Sequence, residues 1–172
     1  LRYINSAAMG LRHKIGTLEQ AMTYLGREGL YRWLTLLLFY DSRQSPVDAA
    51  LRETALARAR LCELLARRRL SKADCEQAFV TGLLSLVDVL FSMPMADALA
   101  HLGLPDEIHA ALARQEGKYG IFVALTLACE RGDAGAVVDL APRLGLDAAE
   151  IESLHMQALN WALDYGAGLE RD

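Results

Sequence analysis

Blocks of helical period, separated by Gly and Pro, constrain the fold of this chain more than any other feature. Ala, Leu, Glu and Arg dominate the blocks, and β-branched residues are sparse. Residues of high helix propensity, with the helix breakers confined to the junctions, are typical of consecutive α-helices. The sequence therefore predicts an all-α protein. It shows no self-similarity at a period of about 34 or 40 residues, which argues against a helical-repeat solenoid.

Two helices are predicted between residues 17 and 40. Thr17 and Gln20 form a capping box at the start of the first helix, which carries a short apolar stripe. The apolar stripe of the second helix consists of Leu30, Trp33, Leu34, Leu37 and Leu38, and Leu36, Phe39 and Tyr40 widen it. A helix that is apolar on most of its circumference belongs in the interior. The second helix is therefore predicted to be central and contacted from several sides.

Seven more helices are predicted after the polar break at residues 42–45. Pro46 suits the first turn of the first of them, and Ser71 opens the second. Asp147 with Glu150 forms a capping signal for the last. The predicted ranges are approximately 46–69, 71–93, 95–102, 106–114, 118–131, 134–144 and 147–166.

The length of the chain, its first residues and its apolar runs indicate its size class and its location. A chain of 172 residues can bury a core without disulfides or structural metals, and it suits one domain. It begins at Leu1, in what reads as the middle of a helix, so we expect a fragment of a longer protein. The given residues show no signal-peptide pattern, and charges interrupt every apolar run before the roughly 20 residues that span a bilayer. We therefore expect a cytoplasmic protein without a membrane partner.

The charge of the chain argues against a nucleic-acid partner. The formal net charge is −4 and the sequence pI is about 5.6, whereas proteins that bind phosphate backbones are usually basic. The basic run Arg67–Arg69 is the exception. It ends a predicted helix, where cations complement the helix dipole and are solvated, so we interpret it as an exposed helix end.

The sequence shows no sign of nucleophilic or phosphate-binding chemistry. Cys62, Cys75 and Cys129 are dispersed without C-x-x-C spacing, which favours reduced thiols in the core. A G-x-S-x-G elbow and a Gly-rich phosphate loop are both absent. The segment Gly117–Gly120 is therefore predicted to be a turn between helices.

Three segments resemble motifs of the HD superfamily of helical metallohydrolases. Gln77–Asp88 (QAFVTGLLSLVD) is similar to the helix that carries that family's His-Asp pair, and Thr54–Ala66 (TALARARLCELLA) resembles the helix that supplies its first metal-binding His. Leu1–Gly10 (LRYINSAAMG) is similar to the signature of HDOD domains, the HD-related output domains of bacterial signalling proteins. By these motifs the chain is identified as a member of the HDOD domains.

Three later segments extend the resemblance over nearly the whole chain. Residues 106–112, 128–133 and 158–162 resemble the C-terminal helices of the HDOD half of proteins in which an EAL domain comes first. The resemblance implies an HD-like helical bundle over residues 1–172, with a core at about 1–116 and additional helices at about 117–172. It also implies an upstream EAL domain of the cyclic-di-GMP phosphodiesterase type.

The resemblance implies a metal site whose ligands are missing here. A catalytic HD site needs a His on one helix and a His-Asp pair on the next, which hold a divalent metal that lowers the pKa of bound water. Thr54, Ser85 and Leu86 stand at these positions, and two hydroxyls and a hydrocarbon are poor metal ligands. We therefore expect no metal, no cofactor and no enzymatic activity.

The four histidines do not rebuild such a site. None of them forms an H-x-x-x-H or H-E-x-x-H pair. His155 falls on the apolar stripe of the last helix, where a hydrogen-bonded core or boundary histidine is expected. His13, His101 and His109 are predicted at the surface.

One ion pair is predicted at the positions of the missing ligands. Arg58 lies one turn after Thr54 on the apolar stripe of its helix, so it needs a partner. Asp88 lies three residues after Ser85, on the same face of the next helix. The hypothesis is that an Arg58–Asp88 ion pair fills the space of the metal and has a structural role.

These features favour a non-catalytic signalling module that docks another domain or protein. The resemblance names an upstream EAL-type domain or another signalling protein as the partner, and a homodimer stays open. Tyr31, Tyr119 and Trp161 are candidate contact residues, although packing in the core is the favoured interpretation for each. Two alternatives remain open: a nucleotide-sensing pocket on a metal-free HD fold, and an HD-type metal-dependent phosphohydrolase.

Overall fold

The computed structural model describes residues 46–102 and 104–169. This part of the chain is built from helices and has no β-strand, which confirms the predicted all-α fold. The helices are α1 (Pro46–Ala66), α2 (Lys72–Leu84), α3 (Val87–Phe91), α4 (Met95–Leu102), α5 (Asp106–Arg114), α6 (Gly117–Glu130), α7 (Ala134–Leu140), a 3-10 turn (Ala141–Leu144) and α8 (Ala148–Leu169). The predicted elements within residues 1–40, with Tyr31 and His13, lie outside the described residues.

Helix α1 is central, because it packs against α2, α6 and α8. Its buried face alternates small and large apolar side chains, which let three neighbours approach at once. These residues are Ala55, Leu56, Ala59, Leu61, Cys62, Leu65 and Ala66. Leu99, Ile108, Leu125 and Ile151 contribute fully buried side chains from α4, α5, α6 and α8.

The crossing of α1 and α2 depends on Gly82. A Cβ atom built on Gly82 would lie 2.5 Å from the carbonyl oxygen of Arg58 and 2.8 Å from the Cα of Ala59. Both distances are shorter than any real contact, so only glycine permits this approach of the two backbones. The crossing brings the end of α2 beside the middle of α1, and thereby sets the position of Ser85 relative to Arg58.

The helix predicted over 71–93 is in fact two helices. α2 ends at Leu84, and α3 begins at Val87. Ser85 causes part of this break, since its hydroxyl donates a 2.6 Å hydrogen bond to the carbonyl oxygen of Gly82 and so competes with the helical ladder. Leu86 then leaves the helical region, with φ −115° and ψ 13°.

Three other predicted boundaries need correction. The first described helix ends at Ala66, so Arg67–Arg69 form an exposed turn after it, as the solvated-end interpretation requires. The range predicted as 134–144 closes with a 3-10 turn from Ala141. Gly117–Gly120 opens α6 and is more than a turn, because Gly120 lies inside the helix and a Cβ there would meet the Gln115 carbonyl at 2.3 Å.

The capping signal of the last helix is confirmed. The Asp147 amide donates to the Glu150 carboxylate at 3.1 Å, and the Glu150 amide donates to the Asp147 carboxylate at 2.8 Å. Two amides that the helix leaves unpaired are satisfied in this way. None of the described helices is long and apolar enough to cross a membrane.

The predicted core residues lie mostly where the sequence placed them. Cys62 and Cys75 are buried, and Cys129 is partly buried. Tyr119 is only 2% exposed. Trp161 is partly buried and packs edge-on against Phe79, with ring centroids 6.1 Å apart.

Candidate functional site

The positions of the missing metal ligands are occupied by groups that are already engaged or apolar. The Thr54 hydroxyl on α1 donates a 2.8 Å hydrogen bond to the Ala50 carbonyl oxygen of its own helix. The Ser85 hydroxyl donates to Gly82, as described above. Leu86 is buried. None of the three side chains offers a strong metal-binding atom.

Arg58 is the centre of this region. Its Nε donates to one carboxylate oxygen of Glu130 at 2.6 Å, and its Nη2 donates to the other at 2.7 Å. Its Nη1 donates to the backbone oxygen and the hydroxyl oxygen of Ser85, at 3.1 and 3.2 Å. One guanidinium therefore joins α1 to the end of α2 and to the last turn of α6, in a bidentate geometry that makes strong hydrogen bonds.

The predicted partner of Arg58 was wrong. The acid that pairs with Arg58 is Glu130, because α6 ends beside α1 and places its last carboxylate against the guanidinium. Asp88 is not among the ion pairs of the described residues, and its Oδ1 is buried without a hydrogen-bond partner. A sequence signal for Glu130 existed: an acid in the last turn of a helix opposes the helix dipole and needs a compensating cation.

These residues do not fit a divalent metal. Among the described residues, no three His, Cys, Asp or Glu side chains come together as a ligand set. The guanidinium of Arg58 adds a fixed positive charge to the place where the family resemblance puts a cation. A metal here would face repulsion and would lack ligands.

Two concave regions flank Arg58. A groove of about 400 Å³ lies between α1, α6 and α8, and a smaller cavity of about 250 Å³ lies between the α2–α3 junction and α4 to α6. Thr54 lines the groove, and Ser85, Leu86 and Asp88 line the cavity. The positions that the resemblance assigns to one metal site are thus divided between two concave regions. The polar lining of the groove includes Glu53, Thr54, Arg58, Glu130, His155 and Asn160.

Burial shifts the pKa values of His155 and Cys62, two titratable groups near the groove. Burial lowers the pKa of His155, and the carboxylates of Glu130 and Glu152 oppose this only in part. His155 is partly buried, which agrees with its predicted boundary position. Burial raises the pKa of the Cys62 thiol to about 12, so this thiol stays protonated and unreactive.

The other two predicted surface histidines in this part of the chain contribute little to the site. His109 on α5 is partly exposed and lines neither concave region. The side chain of His101 lies outside the described residues. His155 is therefore the one histidine that the structure places at the groove, among the residues that it describes.

The fold and this site define an all-helical domain in which Arg58 pairs with Glu130 beside Ser85, one of the positions that the resemblance assigns to metal ligands. The sequence model of the HDOD domain matches residues 1–114, and the chain belongs to the HDOD domain family. No solved structure matches the chain.

Two curated relatives match most of the chain. It is 30% identical over 165 residues to the cyclic di-GMP phosphodiesterase CdgJ of Vibrio cholerae, a match that covers 95% of this chain and 38% of CdgJ. It is 29% identical over 163 residues to the uncharacterized protein YuxH of Bacillus subtilis, covering 94% of this chain and 39% of YuxH. The chain thus spans about two fifths of the length of these relatives.

Proposed function

We propose that this chain is a non-catalytic regulatory domain of a bacterial signalling protein, and that it acts through contacts with another domain or protein. The observation that carries the proposal is the set of hydrogen bonds from Arg58 to Glu130 and Ser85. They tie three helices together at the positions where a related hydrolase would hold a metal. In this proposal the site stabilises the bundle.

The relative named as a cyclic di-GMP phosphodiesterase supports a link to cyclic-di-GMP signalling. The chain matches about two fifths of that relative, which leaves most of its length for another domain. We propose that an EAL-type domain supplies the phosphodiesterase activity and precedes this domain in the cytoplasmic protein. Residues 1–172 would form one unit, with 117–172 as a helical extension, and the packing of α8 on α1 supports this.

The charges of the groove count against the nucleotide-sensing alternative. Glu53 and Glu130 contribute two carboxylates, whereas Arg58 is already paired in a bidentate manner. The lowered pKa of His155 keeps its imidazole neutral near pH 7. The groove therefore has an excess of negative charge, which disfavours a ligand that carries phosphate groups.

Elemental analysis of the purified chain by mass spectrometry tests the proposal. We expect far less than one iron, zinc or manganese atom per chain, with the helical circular dichroism of a folded protein. The matched control is the double variant Thr54→Ala/Ser85→Ala, which removes both hydroxyls from the former ligand positions. One or two metals in the wild type that the double variant loses would refute the proposal and favour the phosphohydrolase alternative.

A further inference from the structure

The cavity beside the α2–α3 junction has apolar walls and room for a small organic molecule. Its volume is about 250 Å³. An apolar cavity of about 150 Å³ can hold one benzene ring, so this cavity has space for two fused rings. The walls are formed by six apolar side chains, Leu86, Val89, Met95, Leu112, Val123 and Leu127. Val89 is 46% exposed, so the cavity opens to solvent beside α3.

One end of this cavity carries a carboxylate oxygen that lacks a partner. Asp88 lines the cavity, and its Oδ1 is buried without a hydrogen bond from any of the described residues. Buried polar atoms in proteins are nearly always paired, so an unpaired one suggests a partner from outside the chain. An aspartate carboxylate accepts hydrogen bonds and donates none. The cavity therefore suits a molecule that brings an N–H or O–H donor.

The charges at the polar end favour a neutral molecule. Arg58 lines the same cavity, and its Nη1 already donates to the backbone and hydroxyl oxygens of Ser85. The guanidinium would repel an ammonium group, and the carboxylate of Asp88 would repel a carboxylate or a phosphate. A neutral donor meets neither repulsion.

We propose that this cavity binds a neutral aromatic molecule of about two rings that carries one N–H or O–H donor. The rings contact the apolar walls, and their burial supplies most of the affinity. The donor bonds to Oδ1 of Asp88, and a hydrogen bond to a charged acceptor is stronger than one between neutral groups. Such a site goes beyond the proposed regulatory function, because it gives the domain a small-molecule input at the junction that Arg58 holds.

Ordered water is the competing occupant of the cavity. Water can donate to Asp88, but a buried water typically makes about three hydrogen bonds. Six of the nine residues that line the cavity are apolar, and only Arg58, Ser85 and Asp88 offer polar side chains. An aromatic molecule with a single donor matches this lining better than a cluster of waters does.

Two probes of the same shape test the donor. Indole carries one ring N–H, and benzofuran has an oxygen in its place. Their dissociation constants are measured by NMR titration of the isotope-labelled chain, in which the amides around the cavity should shift. We expect indole to bind at least about tenfold more tightly than benzofuran, which corresponds to about 1.4 kcal/mol. Benzylammonium and benzoate, which carry opposite charges, should both bind more weakly than indole.

Substitution of Asp88 tests the acceptor. Asp88→Leu removes the acceptor and should make the affinities for indole and benzofuran equal. The matched control is Asp139→Leu, because Asp139 on α7 is exposed and lines neither concave region, so the preference for indole should persist. Circular dichroism establishes that each variant is folded. If Asp88→Leu does not fold, Asp88→Asn replaces it and should reduce the preference by about threefold or more, because its acceptor is neutral.

Equal affinity of the wild type for indole and benzofuran would overturn the proposal, as would a preference for indole that persists in Asp88→Leu. If neither probe shows saturable binding at millimolar concentration, the cavity holds water only. Tighter binding of benzylammonium or benzoate than of indole would overturn the neutral class of ligand. None of these results concerns the metal content of the chain, so failure here is distinct from failure of the proposed function.

Discussion

The ion pair between Arg58 and Glu130 should contribute measurably to the stability of the bundle. The side chain of Arg58 is 11% exposed and that of Glu130 is 39% exposed. Two unit charges about 4 Å apart attract each other by about 4 kcal/mol at an effective dielectric constant near 20. Desolvation and the ordering of both side chains offset most of this attraction, since fully exposed pairs retain only about 0.2–1 kcal/mol. For a partly buried bidentate pair we expect a coupling free energy of about 1–2 kcal/mol.

A double-mutant cycle measures this coupling. The free energy of unfolding is determined by urea denaturation for the wild type, Arg58→Ala, Glu130→Ala and the double variant. The loss should be larger for Arg58→Ala than for Glu130→Ala, because the arginine also donates two hydrogen bonds to Ser85. Removal of the arginine leaves those acceptors without this donor.

The chain offers a matched control pair. Arg114 and Glu116 approach to 2.9 Å, a similar distance, but their side chains are 56% and 63% exposed. The same cycle on this pair should give at most about 0.5 kcal/mol, and salt should reduce it further. A coupling for Arg58–Glu130 no larger than that of the control would refute the claim that the pair is a structural tie.

Two further predictions concern packing and pH. Gly82→Ala should destabilise the protein by about 1–2 kcal/mol, because the close approach to α1 outweighs the better helix propensity of alanine. The control Gly135→Ala, whose Cβ would meet only a side-chain atom at 3.6 Å, should be neutral or slightly stabilising, and equal unfolding midpoints for the two variants would contradict this reasoning. His155 has a lowered pKa in the folded state, so below about pH 6.5 the unfolded chain takes up a proton that the folded chain resists. Stability should therefore fall as the pH decreases through this range, and less so in His155→Gln; parallel pH profiles of the two proteins would count against it.

Most helix boundaries were predictable because they depend on local chemistry. The helices at 95–102 and 106–114 match their predicted ranges, and Pro105 and the residues after it set the start of the second. Asp147 and Glu150 marked the beginning of α8 through a capping pattern that needs only four residues. Ser85 was the exception, because a serine inside a helical pattern does not reveal whether its hydroxyl will replace a backbone hydrogen bond.

The composition of the site was only partly predictable, because it depends on distant parts of the chain. Helical period showed that Arg58 lies on an apolar face and needs a partner. It could not show which acid would be near, since Glu130 is 72 residues away and reaches Arg58 only through the packing of α6 on α1. Asp88 lies close in sequence to Ser85 and shares its cavity, yet it is not the partner.

The hydrogen bonds of Arg58 explain how the bundle keeps its shape at this site. A metal would join its ligand helices through charge and short bonds, and Arg58 joins three helices through four hydrogen bonds. A metal site and an arginine differ in whether they keep a position open for water. A metal retains an open position for water, whereas every donor of the arginine that faces Glu130 and Ser85 is engaged. These hydrogen bonds therefore supply rigidity at the positions that the resemblance assigns to metal ligands, which supports the proposed regulation by contact.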